Sequence, residues 1–142
     1  MDADSITGAL EHAGYRLTSP RRALAALIAD RRGCFTAEEL LDESKRRRLG
    51  VTRATIFRSL DMLSDLALVE RLDLPSGEHA FVACEPRHHH HVTCSTCGAS
   101  TPVADAGIER LAQQIGRDTG YEVETHRLEL FGRCARCRGA VA

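Results

Sequence analysis

Apolar residues recur at helical spacing through roughly the first 65 positions and then switch to alternation. Residues 5–14 read as a short helix ended by Gly14, a favoured residue just past a helix terminus. Ser19 followed by Pro20 reads as an N-cap with proline at the first helical position, and Leu24, Leu27 and Ile28 share the buried face of the helix that follows. Thr36 has Glu39 three residues on, the spacing of a capping box, and Leu40 and Leu41 point inward behind it. After Gly50, Thr52 caps a further helix in which Ile56, Phe57, Leu60 and Leu63 recur at i, i+3/i+4 and i+7.

Helices of this length joined by short turns predict a helix-turn-helix core. Leu68 to Asp73 and His79 to Ala83 then read as two strands around the turn signal Pro75-Ser76-Gly77. Three helices followed by a hairpin is the order of a winged helix. The helix from Thr52 to about Asp65 is then the one whose N-terminal half enters the major groove. Past residue 84 the pattern changes. Val92 to Cys94 and Ser100 to Val103 read as short strands, Ile108, Leu111, Ala112 and Ile115 as one helical face closed by Gly120, and Tyr121 to Phe131 as a long strand. The class is α+β, with a winged helix-turn-helix followed by a small α/β domain.

A length of 142 residues suits one domain or two small ones, and small lobes gain from a metal or a partner chain. The formal net charge of −1 gives no long-range basic field. Locally, Ser44 to Leu60 holds six basic residues and no acid, which is the footprint of a nucleic-acid contact. Arg46 to Arg48 within it could equally be a solvated basic turn. Met1 is followed by Asp2 and Asp4 rather than by basic residues and an apolar run, and no stretch approaches the roughly 18 apolar residues that span a membrane. The expectation is a cytoplasmic protein that does not engage the membrane, in which paired Cys-x-x-Cys favours metal over disulfide.

The chemistry concentrates in Cys84 to Cys97, CEPRHHHHVTCSTC, and in a second Cys-x-x-Cys near the C-terminus. Cys94, Cys97, Cys134 and Cys137 form two knuckles able to supply four thiolates to one tetrahedral zinc, a closed structural site. In an extended run, His89 and His91 share one face and His88 and His90 the other, so one run can serve two sites. Cys84 could join His89 and His91, with Glu70 from the wing completing a tetrahedral set. Thiolate with imidazole favours zinc over iron(II) or manganese(II). For the other pair, Glu109 and His126 are candidates that spacing alone does not select. Cys34 reads as a small buried apolar residue.

The segments GYRLTSPR (14–21), TAEEL (36–40), VTRATIFRSLDML (51–63), HHHHVTCSTCG (88–98) and LFGRCARC (130–137) resemble the ferric uptake regulator (Fur) superfamily over nearly the whole chain. Cys84 together with Glu70 is most similar to its zinc uptake regulator branch. The resemblance implies a DNA-binding domain over 1–83, a hinge carrying ligands over 84–91 and a dimerisation domain over 92–142. It implies structural zinc at Cys94, Cys97, Cys134 and Cys137, a regulatory hinge zinc at Glu70, Cys84, His89 and His91, and a second regulatory site at His88, His90, Glu109 and His126. Operator DNA would be met by Arg16, Thr52, Arg53, Thr55, Phe57 and Arg58, with Arg16 in the minor groove. Phe57 stands where the family usually has tyrosine, which removes a phenol hydrogen bond.

The expected function is a homodimeric repressor of metal-uptake genes with Zn(II) as co-repressor. A sister sensor of iron, manganese or peroxide is the alternative, and a constitutive zinc-dependent nucleic-acid binder is a further one. An enzyme or a small-molecule substrate is not expected, since the sequence holds no HExxH, no nucleophile motif and no glycine-rich phosphate loop.

Overall fold

A computed structural model of the chain describes residues 1–84 and 89–139. These fall into two units, Met1–Arg87 and His88–Ala142. In the first, four helices precede a hairpin: α1 (Ala3–His12), α2 (Ser19–Ala29), α3 (Ala37–Arg47), α4 (Arg53–Asp65), β1 (Val69–Asp73) and β2 (His79–Ala83). Each helix starts where a short polar side chain satisfies an orphan backbone donor. Asp2, Thr18, Thr36 and Thr52 are extended, and each accepts from the N–H three residues on. The cap of α2 is therefore Thr18 rather than Ser19, and Pro20 lies one place deeper in the first turn, where its missing N–H still costs nothing. Thr36 and Glu39 form the reciprocal capping box.

One core gathers Ile6, Leu10, Leu24, Leu27, Ile28, Leu40, Ile56, Leu60 and Leu63. Phe57 does not join it. Ile56 and Leu60 take the inward face of α4, and Phe57, about 100° further round the helix, is 45% exposed. The hairpin is pinned to this core at Phe35. Its backbone exchanges two hydrogen bonds with Phe81, at 2.8 and 2.7 Å, and the two rings stack with centroids 6.2 Å apart. Phe35 is 1% exposed, so Phe35→Ala would cost roughly 3–5 kcal/mol and loosen the wing. The antiparallel register runs from Val69 opposite Ala83 to Asp73 opposite His79, and Gly77 closes the turn at φ 88°.

The second unit holds β3 (His90–Cys94), β4 (Ser100–Val103), α5 (Ala106–Thr119), β5 (Glu129–Gly132) and α6 (Ala135–Gly139). Its sheet has the order β4-β3-β5, with β3 antiparallel to β4 and parallel to β5. The long strand expected over 121–131 is reduced to its last residues. Glu129 lies opposite His91 in the register, so residues before it run past the start of β3 and find no partner strand among the described residues. Tyr121 and Val123 are 76% and 42% exposed. Gly116 is where this segment meets α5: a Cβ there would lie 2.9 Å from the Tyr121 carbonyl oxygen. The apolar face of α5 is open, with Leu111 58% and Ile115 49% exposed. No helix among the described residues is long and apolar enough to cross a membrane.

Candidate metal centres and nucleic-acid interface

The Cys94–Cys97 knuckle is a tight turn at the end of β3. Cys94 N–H donates to Ala99 O and Gly98 N–H returns to Cys94 O, with Gly98 at φ 75°. Ser95 donates to Gly132 O through its backbone N–H, at 2.8 Å, and through its hydroxyl, at 3.1 Å. That ties the first knuckle to the end of β5, two residues before Cys134, and Cys134 and Cys137 flank the start of α6.

The four sulfurs lie within 4.8 Å of one another. Cys97 Sγ and Cys134 Sγ are 3.9 Å apart, far beyond a disulfide bond and close to the ~3.8 Å edge of a tetrahedron with metal–sulfur bonds of about 2.3 Å. The donor set and its spacing fit zinc. The backbone N–H of Cys134, with that of Cys97, holds the Cys94 thiol down to about 5. The Ala99 N–H lowers Cys97. The neighbouring Cys134 thiol pushes Cys137 up to about 12. Arg136 stands beside Cys97 and the other thiols as a counter-charge.

The imidazoles divide by strand alternation. His89 and His91 pack edge to face, with ring centroids 4.6 Å apart. His90, buried on the other side, faces His126, with Nε2 atoms 2.9 Å apart. His88 lies outside the described residues. Asp105 completes the second group: its Oδ1 is 3.0 Å from His90 Nε2 and 3.7 Å from His126 Nε2. These three residues are gathered within ligand distance, whereas Glu109, one turn along α5, is exposed and lines a cavity of about 550 Å³ beside His126. Glu109 is the carboxylate that the resemblance implies here, while Asp105, directly before a helix, reads in the sequence as an ordinary cap.

Glu70 and Cys84 both belong to the first unit, and His89 and His91 to the second. Cys84 follows β2; its N–H donates to Leu68 O and its thiol to Ala67 O, at 3.6 Å. Burial, then the negative charge of Glu70, push this thiol up to about 11. Glu70 lies opposite Val82 in the register, so its side chain and that of Cys84, two residues on, share one face of the hairpin.

Helix α4 presents Arg53, Phe57 and Arg58 to solvent, and Arg16 is exposed between α1 and α2. Thr52 and Thr55 are engaged in the cap, their hydroxyl oxygens 3.1 Å apart. Arg53 is gripped by both carboxylate oxygens of Glu38 on α3, one of them at 3.1 Å. Glu43 likewise takes Arg46 and Arg47. Counting acids only between Ser44 and Leu60 missed both partners. Three of the six basic residues of that run are ion-paired in the free protein, two of them to one carboxylate, and Arg58 makes no ion pair with a described residue.

Residues 12–131, from the end of α1 into β5, match the profile of the Ferric uptake regulator family. The chain belongs to this family. It is 33% identical over 126 residues to the zinc uptake regulation protein of Mycobacterium tuberculosis, covering 89% of this chain and 97% of that protein. It is 30% identical over 142 residues to the ferric uptake regulation protein of Bacillus subtilis, covering 96% and 94%. Its fold is similar to that of a zinc uptake regulator complexed with zinc and DNA, with a TM-score of 0.77 at 22% identity over 96% of this chain and 93% of the other. The chain is thus a metal-responsive regulator, and its family is one of transcription regulators rather than enzymes.

Proposed function

We propose that this protein is a zinc-responsive, homodimeric repressor of metal-uptake genes that acts in the cytoplasm with Zn(II) as co-repressor. Family membership leaves zinc and iron both open, since relatives of either name match at nearly equal identity. The observation that carries the choice is Cys84, which follows β2 and shares a face of the hairpin with Glu70. A soft thiolate in a set with two imidazoles and one carboxylate favours zinc over iron(II) or manganese(II).

In this reading residues 1–83 bind operator DNA, 84–91 form a hinge and 92–142 dimerise. Cys94, Cys97, Cys134 and Cys137 would hold a structural zinc that ties the C-terminal knuckle to the sheet. Glu70 and Cys84 from one unit, and His89 and His91 from the other, would hold the regulatory zinc. A cation shared in this way couples the units, so it favours whichever arrangement of the winged helices brings all four ligands together. His90 and His126 would belong to a second regulatory site, with His88 and Glu109. Arg16, Arg53, Phe57 and Arg58 would meet the DNA, with Thr52 and Thr55 at the start of the helix that enters the groove. The exposed apolar face of α5 supports dimerisation, because Leu111 and Ile115 are left for another surface to cover.

The test is binding to a pool of double-stranded fragments at buffered free zinc, iron(II) and manganese(II). Sequence-selective binding should rise with zinc at concentrations where the other two do nothing. Selective binding driven by iron(II) or manganese(II) instead would favour the sister-sensor reading. Binding indifferent to every metal once the four-cysteine site is filled would favour a constitutive binder.

A further inference from the structure

Arg16, in the loop between α1 and α2, belongs to the set proposed to meet DNA; Arg21, in the first turn of α2, does not. The geometry points to Arg21 as a further DNA-contacting residue, which holds the loop that presents Arg16 and takes a backbone phosphate beside it. The proposal rests on the reading that the first unit binds double-stranded DNA.

The loop is fixed residue by residue. Gly14, at φ 86°, closes the end of α1 with its N–H on Glu11 O, and the Tyr15 N–H donates to Leu10 O. Tyr15 and Leu17 are half-buried against the core, and Arg16 between them is left exposed. Thr18 then caps α2 by accepting the Arg21 N–H. Arg21 also turns its side chain back, and its Nη1 donates to Arg16 O at 2.5 Å. A half-buried guanidinium is thereby held at the base of the Arg16 side chain.

Charge is the second, independent observation. Arg22, Arg46, Arg47, Arg53 and Arg71 of this unit each stand beside a carboxylate. Neither Arg16 nor Arg21 makes an ion pair with a described residue, and Glu11, at the end of α1, is taken by Arg22 at 4.0 Å. The Arg16 carbonyl occupies one N–H of the Arg21 guanidinium and neutralises none of its charge. Two cations brought together repel, and an anion placed between them turns that cost into a gain. The arginine fork matches phosphate oxygens, and a guanidinium already held gives up less freedom when it binds one.

The experiment measures binding of the zinc-loaded full chain to a double-stranded fragment selected from a random pool, over a series of salt concentrations. It compares the unaltered protein with Arg21→Gln, Arg21→Lys and Arg58→Gln. Glutamine and lysine both keep an N–H donor for the Arg16 carbonyl, and only lysine keeps the charge. Arg21→Gln should weaken binding and make the slope of log K against log salt shallower by about 0.9, the mark of one lost phosphate contact. Arg21→Lys should keep the slope of the unaltered chain. If Arg21→Gln weakens binding with the slope unchanged, Arg21 only holds the loop and the phosphate contact is refuted. If Arg21→Gln binds as the unaltered chain does while Arg58→Gln is impaired, this proposal alone is overturned and the DNA-binding reading stands. If the unaltered chain shows no salt-dependent binding to the fragment, both are overturned.

Discussion

Cys84 carries a thiol that burial and the Glu70 carboxylate push up to about 11, so at neutral pH it holds its proton. A zinc bound through this sulfur must expel that proton, and affinity therefore rises with pH for as long as the thiol stays protonated. The free zinc needed for half-maximal response should fall about tenfold per unit between pH 7.5 and 9, as expected for one proton released. A flat response over that range would remove Cys84 from the site. Cys137→Ser makes a different prediction: one tightly held zinc should be lost and the second unit should unfold at markedly lower temperature, read by metal content and thermal melting. Glu38→Gln should release Arg53 for phosphate. DNA affinity at low salt should then increase, and the slope of log K against log salt should steepen by about 0.9. An unchanged slope would place Arg53 away from the DNA backbone. At this scale much was legible. Alternation along the His run and the knuckle spacing follow from backbone geometry alone. The partners of Arg53 and His90 were not, because Glu38 and Asp105 are each 15 residues away in sequence and reach them only in the fold.

Among the elements, the caps at Thr36 and Thr52 and the turn at Gly77 are legible because each needs only three or four neighbouring residues, whereas the cap of α2 lies one place before the expected Ser19 and α1 starts earlier, behind Asp2. Tyr121 to Phe131 shows the limit of that reasoning. Its alternation is that of a strand, but a strand exists only where a neighbour pairs with it, and β3 offers a partner only from Glu129 on. Helix α5 is similar. Its apolar spacing is helical, as expected, yet in one chain Leu111 and Ile115 remain exposed and Gly116 is its one buried residue. If a second copy covers this face, Ile115→Glu should convert the protein to monomers in sedimentation while leaving the four-cysteine zinc in place. A dimer of unchanged stability would show that the interface lies elsewhere.

For the whole molecule, the proposed regulatory zinc is the element that would draw on both units. The first holds the helix that would read DNA together with Glu70 and Cys84; the second holds His89, His91 and the four-cysteine cluster. In the proposed function, a single zinc drawing ligands from both would convert a free metal concentration into a fixed spacing of two winged helices. Cys84 is the residue that separates this from a purely structural use of zinc, because it lies outside both knuckles. The most direct measurement is binding of a zinc-selected DNA fragment against buffered free zinc, for the unaltered protein and for Cys84→Ser. Cys84→Ser should keep its dimer and its four-cysteine zinc and lose zinc-triggered binding, or need far more zinc to reach it. A Cys84→Ser protein that responds at the same free zinc as the unaltered chain would contradict it.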